Sequence, residues 1–215
     1  MEENKPKIKK ARDKSLAREI MEWILCLFAA FIVAVVIKYF IFTPTLVQQG
    51  SMTPTILNGE RVLINRLVRT FNIPIFRGDI ITFEMPAATN DDGTAYYNEN
   101  SGIVTFILHD LLEITKTSYI KRVIGVAGDH VKITENGEVY VNDKKKNEEY
   151  LVDGLKTPTG EYNDLIVPEG YVFVMGDNRT GSTDSRVFGC IPLSKVEGRV
   201  RYRIWPLNRF GKIDD

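Results

Sequence analysis

The feature that most constrains this chain is an unbroken apolar run near its amino terminus. Every residue from Trp23 to Ile37 is apolar, and the run continues past a single Lys38 to Phe42. About 20 helical residues cross the ~30 Å of hydrocarbon in a bilayer, and a lysine near the end of a span can extend its ammonium group to the interface. The run therefore predicts a transmembrane anchor over residues 19–42.

Basic residues are concentrated on one side of this run. After Lys38 the next basic residue is Arg61. The basic residues before the run are Lys5, Lys7, Lys9, Lys10, Arg12, Lys14 and Arg18. Cytoplasmic flanks of membrane helices carry the excess of Lys and Arg. We predict a single-pass protein of the cytoplasmic membrane, with a basic cytoplasmic tail over residues 1–18 and an extracytoplasmic domain over residues 43–215.

Two other interpretations of the apolar run are open. A basic segment followed by an apolar one is also the pattern of a cleaved signal peptide, although "KYFIFTPT" offers no small-x-small cleavage site after the run. A buried core helix is the third interpretation. Trp23 and Tyr39, near the two ends of the run, are typical of membrane interfaces and favour the retained anchor.

Composition excludes some classes of protein. The 215 residues are 44% hydrophobic and 26% charged, which is typical of a folded protein. The formal net charge is zero, but residues 1–42 hold 8 of the 28 basic and 5 of the 28 acidic residues, which leaves a net −3 for the remainder. Nucleic-acid binding therefore has no electrostatic support. Because Cys26 lies in the apolar run, we expect no disulfide with Cys190.

Beyond Pro44 the sequence consists of short apolar or alternating runs divided by turn residues, the pattern of β-strands. The runs are "RVLIN", "DIITFE", "IVTFIL", "YIKRVIGV", "HVKI", "EVYVN", "YVFVM" and "RVRYRIW". Asn136-Gly137, between two of them, predicts a hairpin. The pattern from His109 to Thr115 admits a helix. We predict a mainly β domain behind a single N-terminal transmembrane helix.

A serine follows the anchor closely, in "QGSMTPTI" from Gln49 to Ile56. Nine peptide steps separate Ser51 from Phe42, so Ser51 lies within ~30 Å of the span even if the linker is extended. Met52 offers an adaptable apolar contact, and Pro54 restricts the backbone. On its own, a serine in such a loop is explained by turn chemistry.

A serine becomes a strong nucleophile when a positioned base removes its proton. His109 and His130 lie in no recognisable catalytic motif, and we interpret both as structural. The motifs G-x-S-x-G and H-E-x-x-H are absent, so the sequence favours neither the usual hydrolase elbow nor a zinc protease. We predict no metal and no cofactor.

Lysine is the other residue that can serve as the base for serine. Burial must then lower its pKa by 2 to 3 units from the reference value of ~10.4. In "YIKRVIG" Lys121 shares a strand face with Tyr119 and Val123, which offers an apolar environment, whereas Arg122 faces the opposite side. A lysine in a strand is by itself more typical of a solvated edge.

Ser51 and Lys121 belong to a set of four segments that occur in a particular order. They are "SMTPTI" at 51, "GDIITF" at 78, "YIKRVIGVAGD" at 119 and "GDNRTGSTDSRVFG" at 176. Behind an outward-facing anchor, they resemble the boxes of type I signal peptidases of the single-anchor Gram-positive type, serine-lysine endopeptidases that remove signal peptides at the outer face of the cytoplasmic membrane. The resemblance covers the anchor and most of residues 43–205. It implies that the partners are the signal peptides of secreted preproteins, the lipid bilayer and the secretion translocon.

The resemblance also implies roles for individual residues. Ser51 is the nucleophile, Lys121 is the general base, and Ser182 orients the lysine by accepting a hydrogen bond. The supporting residues are Asp177, Asn178 and Arg179, which shape a turn beside the site, and Asp184 and Arg186, which form an ion pair on an extended segment. The residues that line apolar substrate pockets are Met52, Ile56, Tyr119 and Ile120.

Such pockets fit the substrate. An extended peptide added to a strand edge points alternate side chains into pockets, and shallow pockets match the small-x-small rule of signal-peptide cleavage. The backbone N–H of Ser51 is the first candidate for an oxyanion donor. Gln49 occupies the position where some members of the family carry a serine donor, so either the backbone suffices or the Gln49 amide contributes.

Two further departures from the family pattern concern loops. "VAGD" lacks the proline that usually precedes Gly128, and residues 86–118 form a long insertion that is either a cap or a contact with the translocation machinery. Two other functions are compatible with the sequence. A specialised relative would process pilin-like or self-derived chains with the same dyad, and a catalytically inactive anchored β module would assist assembly. Self-cleaving repressors are disfavoured, because the chain has an anchor and no DNA-binding segment.

Overall fold

A computed structural model describes residues 16–90, 93–97 and 117–213. The predicted strand "IVTFIL" and the predicted helix from His109 to Thr115 lie outside these residues. The chain divides into two compact units, one that ends at Val36 and one that begins at Ile37. The predicted boundaries of the tail, the anchor and the extracytoplasmic domain stay predictions.

The apolar run forms a helix, α1, over Leu16–Phe40. It contains neither Pro nor Gly, so nothing interrupts the helix for 25 residues. The helix is long and apolar enough to cross a membrane, and none of its residues is buried. The interpretation of this run as a buried core helix is therefore wrong.

The described part of the second unit is mainly β. In chain order the strands are β1 (Phe42–Leu46), β2 (Arg61–Asn65), β3 (Ile80–Glu84), β4 (Ala88–Thr89), β5 (Ala95–Tyr96), β6 (Ser118–Val126), β7 (His130–Ile133), β8 (Val139–Val141), β9 (Lys144–Lys145), β10 (Asp164–Ile166), β11 (Tyr171–Met175), β12 (Ile191–Pro192), β13 (Val196–Trp205) and β14 (Gly211–Lys212). Two short α-helices accompany them, α2 (Leu67–Thr70) and α3 (Ser185–Phe188). Single 3₁₀ turns cover Leu193–Lys195 and Leu207–Arg209.

These strands form one large antiparallel sheet and two smaller ones. The large sheet has the order β1-β2-β13-β3-β6-β11-β12, and β14 pairs with β13. A second sheet has the order β10-β7-β8-β9, and β4 pairs with β5. The predicted hairpin is confirmed: β7 and β8 are antiparallel, with Ile133 opposite Val139, and Gly137 in the turn has a φ of 81° that favours glycine.

The predicted runs within the described residues all form strands, whereas β1 and several strands of two or three residues were not predicted. The sequence of β1, "FTPTL", contains Pro44, and proline within a run argues against a strand. Because β1 is at the edge of the large sheet and pairs with β2 alone, Pro44 interrupts no ladder between two neighbours. The segment expected to be a linker is thus part of the sheet.

Alternation along β6 determines what lies on each face of the large sheet. Lys121 pairs with Ile81 of β3, and Tyr119 pairs with Phe83, on the face that carries the apolar cluster around Val123. Arg122, one residue on, faces the opposite side. The predicted arrangement of this strand is confirmed, and it brings a lysine into an apolar environment.

Candidate active site

The loop around Ser51 is fixed by the apolar residues that follow it. Met52 and Ile56 are both 0% exposed and pack in a cluster with Val62 and Ile64 of β2. Ser51 itself is 5% exposed. Burial of one such apolar side chain stabilises a fold by ~1.5–3 kcal/mol. Met52 and Ile56 therefore hold the loop in place from inside the core; neither lines the cleft described below, and their role in a substrate pocket stays a prediction.

Lys121 reaches Ser51 directly. Its Nζ donates a hydrogen bond to Ser51 Oγ at 2.7 Å, and the residue is 1% exposed. Nζ also lies 4.8 Å from the centroid of the Tyr119 ring. Burial, the largest contribution, lowers the pKa of Lys121 to about 8, although the nearby carboxylate of Asp184 opposes this shift. A buried amine with this pKa, in contact with a hydroxyl, can accept the hydroxyl proton near neutral pH.

A turn from the fourth motif holds the backbone of the serine loop. Asn178 donates from its backbone N–H to Ser51 O at 3.0 Å and from Nδ2 to Gly50 O at 3.1 Å. The hydroxyl of Thr55 donates to Asp177 Oδ2. Gly176 leaves no room for a side chain, because a Cβ there would collide with Ser51 O. The turn and the loop therefore fit together through backbone contacts.

Asp177 is itself held by Arg122. The guanidinium donates from Nε to Oδ1 at 3.0 Å and from Nη2 to Oδ2 at 2.9 Å, and the two side chains are 0% and 1% exposed. A bidentate pair of this kind fixes orientation as well as distance. The sequence indicated that Arg122 faces away from Lys121, but no local pattern pointed to Asp177 as its partner.

The other supporting residues have different partners. Arg179 binds Glu148, with Nη1 3.0 Å from Oε2. Asp184 and Arg186 form the predicted ion pair, with Nε 2.8 Å from Oδ1. They do not lie on an extended segment, however. Asp184 is the N-cap of α3 and accepts a hydrogen bond from the backbone of Arg186, so capping brings the two residues together.

The predicted hydrogen bond from Lys121 to Ser182 is not formed among the described residues. Ser182 Oγ is buried and has no hydrogen-bond partner among the residues that the structure describes. It lies against Gly176, as Ser51 O also does. The role of Ser182 stays a prediction.

A cleft of about 510 Å³ opens beside the serine. Tyr119 and Ile120 line it, as predicted for pocket residues, and so does the exposed Gln49. Ser118, also on its wall, donates its hydroxyl proton to Glu197 Oε1 at 2.7 Å. The cleft thus combines apolar and polar walls and has Ser51 on one side.

Other candidate groups lie elsewhere. His130 Nε2 lies 2.5 Å from Asp164 Oδ1 at the edge of the second sheet, and His109 lies outside the described residues. Within the described ranges, no cluster of three or more His, Cys, Asp or Glu side chains is arranged to hold a metal ion. Cys190 is buried. Of the insertion 86–118, little beyond the β4–β5 pair is described, so its role stays a prediction.

Comparison with known proteins identifies the family. The family model described as signal peptidase, peptidase S26, matches residues 20–205. Signal peptidase IB of Staphylococcus aureus (strain COL) is 34% identical over 210 residues, which cover 91% of this chain and 94% of that protein. Probable signal peptidase I-1 of Synechocystis sp. is 32% identical over 194 residues, which cover 90% of this chain and 87% of that protein. A crystal structure of a signal peptidase I from Enterococcus faecalis matches with 25% identity and a TM-score of 0.38, over 59% of this chain and 96% of that chain.

The family model and the sequence relatives define the chain as a serine endopeptidase. It belongs to the signal peptidase family, peptidase S26, whose members cleave signal peptides from preproteins, and the resemblance noted in the four motifs is confirmed. The apolar helix α1 indicates that the enzyme is anchored in a membrane.

Proposed function

We propose that this protein cleaves amino-terminal signal peptides from secreted preproteins after small-x-small motifs at the outer membrane surface, with Ser51 as the nucleophile and Lys121 as the general base. The observation that carries the proposal is the 2.7 Å hydrogen bond between Lys121 Nζ and Ser51 Oγ at a nearly fully buried position. With a pKa of about 8, an appreciable fraction of Lys121 is neutral at neutral pH and able to accept a proton.

The reaction has two halves. Neutral Lys121 takes the proton of Ser51 Oγ as the oxygen attacks the scissile carbonyl carbon, and the resulting ammonium protonates the departing amine of the mature chain. The signal peptide is left as an ester on Ser51. Lys121 then takes a proton from water as the water oxygen attacks the ester, the ester bond breaks, and the proton returns to Ser51 Oγ. The signal peptide leaves with a free carboxylate.

The negative oxygen formed in each half requires hydrogen-bond donors. The backbone N–H of Ser51 is one candidate. The side-chain amide of Gln49 is the other, because Gln49 lines the same cleft as Ser51. Either group donates to an oxygen that develops charge in the transition state.

Two free strand edges beside the cleft support binding of an extended substrate. β11 pairs with β6 only from Arg122 to Val126. The preceding part of β6, Ser118–Lys121, therefore has no partner strand on the β11 side among the described residues. β1 is the edge strand on the other side, and residues of both strands line the cleft. A peptide added here points alternate side chains at the walls formed by Tyr119 and Ile120, which favours small residues at alternate positions.

The distribution of basic residues supports the proposed orientation. Seven of them precede the apolar run, so the amino terminus lies in the cytoplasm and the catalytic domain lies outside. The short chain between the span and Ser51 keeps the reaction at the bilayer surface, where signal peptides emerge. Contact between the insertion 86–118 and the translocon belongs to the same proposal.

Cleavage of a preprotein by the full chain in detergent tests the assignment. Ser51→Ala and Lys121→Met are expected to lower the cleavage rate by at least about a thousand-fold, as loss of a nucleophile or its base does in other serine proteases. Ser194→Ala and Lys144→Met alter exposed residues and are the matched controls. Cleavage by Lys121→Met within about ten-fold of its control would overturn the assignment of the base and favour a different catalytic group, whereas a parent chain that does not cleave would favour the inactive module.

A further inference from the structure

The segment between β9 and β10 lies next to the Asp177–Asn178 turn of the candidate active site. It contains "NEEYLVDG", from Asn147 to Gly154. Glu148 and Tyr150 turn inward, whereas Glu149 is exposed and accepts a hydrogen bond from Asn147. The two inward side chains contact the two arginines that adjoin the Asp177–Asn178 turn.

Glu148 binds Arg179. Both carboxylate oxygens accept hydrogen bonds from the guanidinium, and the side chains are 13% and 0% exposed. Arg179 Nε in turn donates to Gly176 O at 3.2 Å, at the start of the turn. Without Glu148, Arg179 would be a buried cation that has lost its carboxylate, and this is costly in a fold. Glu148 therefore fixes one end of the turn.

Tyr150 covers Arg122. The guanidinium carbon lies 3.9 Å from the centroid of the Tyr150 ring, a cation–π contact, and the hydroxyl of Tyr150 donates to Glu148 Oε1 at 2.9 Å. Arg122 is the residue that binds Asp177 with two hydrogen bonds. The ring therefore limits the movement of this guanidinium and excludes water from one side of the buried pair.

We propose that Glu148 and Tyr150 are positioning residues for signal-peptide cleavage, acting on the turn through Arg179 and Arg122. The turn holds the carbonyl oxygens of Gly50 and Ser51 through Asn178, so its position fixes the approach of Ser51 Oγ to Lys121. Neither Glu148 nor Tyr150 lines the cleft. The inference rests on the proposed roles of Ser51 and Lys121.

The test is a separate determination of kcat and KM for preprotein cleavage by the full chain, with rates expressed per folded molecule from thermal unfolding in the same detergent. Tyr150→Leu and Glu148→Gln are expected to lower kcat about ten-fold or more, since small displacements of reacting groups are costly, with KM within about two-fold of the parent. Tyr150→Phe keeps the ring over Arg122 and is expected to keep kcat within about three-fold. Glu149→Gln is the matched control.

A kcat for Tyr150→Leu within about three-fold of the control, or an equal loss in Tyr150→Phe and Tyr150→Leu, overturns the role of the ring. If Glu148→Gln does not fold, the two Tyr150 variants decide. Ser51→Ala and Lys121→Met are measured in the same series, so that failure of the positioning role can be told apart from failure of the proposed function. If they are inactive while Tyr150→Leu and Glu148→Gln are fully active, only this inference fails; if they cleave normally, the proposed function fails.

Discussion

Arg122 binds both carboxylate oxygens of Asp177, at 3.0 and 2.9 Å, directly beside the residue that we propose as the general base. Successive side chains of a strand point to opposite faces, so Lys121 reaches Ser51 while Arg122 reaches Asp177. Asp177 and its neighbour Asn178 then hold the loop that carries Ser51. One dipeptide of β6 thereby contributes the proposed base and an anchor for the nucleophile loop.

The Arg122–Asp177 pair is expected to stabilise the fold as a unit. Arg122→Met or Asp177→Leu alone leaves a buried charge unpaired and should lower the free energy of unfolding by about 3–5 kcal/mol. The double variant should lose clearly less than the sum, because no charge is left without its partner. Urea unfolding of the full chain in detergent, arranged as a double-mutant cycle, measures this coupling. Additive losses would show that the two side chains do not act together.

Lys121 is expected to destabilise the enzyme that uses it. Burial lowers the pKa of Lys121 in the fold to about 8 from its ordinary value of 10.5, so the fold disfavours the protonated form. This cost is present in full below pH 8 and disappears as pH rises towards 10.5, where the unfolded chain also loses the proton. At pH 7, Lys121→Met should therefore raise the free energy of unfolding by roughly 1–3 kcal/mol, after allowance for the lost hydrogen bond to Ser51.

Thermal unfolding at neutral and alkaline pH measures this difference. The gain from Lys121→Met should shrink when the pH is raised through the interval between the two pKa values. Lys144→Met, on exposed β9, is the control and should change Tm little at either pH. A lower Tm for Lys121→Met than for this control at pH 7 would contradict the claim that burial of the protonated Lys121 side chain destabilises the fold.

Gly176→Ala is expected to impair catalysis more than stability. The added Cβ collides with Ser51 O and with Ser182 Oγ, so the turn must move away from the loop that carries Ser51. We expect kcat to fall about ten-fold or more per folded molecule. Gly170→Ala is an informative comparison, because Gly170 has a φ of 79° with open space around it. Its replacement should lower the free energy of unfolding and leave kcat unchanged. Equal kcat losses in the two variants would contradict the claim that the collision at residue 176 lowers kcat.

Much of the fold follows from local patterns in the sequence. The strand around Lys121 and the hairpin at Gly137 were predicted because alternation and turn chemistry are properties of neighbouring residues. β1 was missed because Pro44 argues against a strand unless its place at the sheet edge is known. The short helix α3 was missed because the capping role of Asp184 was interpreted as pairing along an extended chain.

The site was predicted less completely, and for a different reason. Arg122 and Asp177 are 55 positions apart, and Arg179 and Glu148 are 31 apart, so no sequence pattern records that they meet. Met52 and Ile56 were assigned to a pocket by the resemblance to the family, and apolar residues next to Ser51 can face either a cleft or the core. Only the packing of the loop against β2 distinguishes these two environments.

The pH dependence of preprotein cleavage by the full chain tests the central claim most directly. If neutral Lys121 is the base, the single-turnover rate should rise with pH, follow an apparent pKa of about 8 and then level off. Lys121→Met should show a low residual rate without this rise. A parent rate that does not change across the neutral-to-alkaline range, or a Lys121→Met variant with the parental rate and profile, would contradict the account.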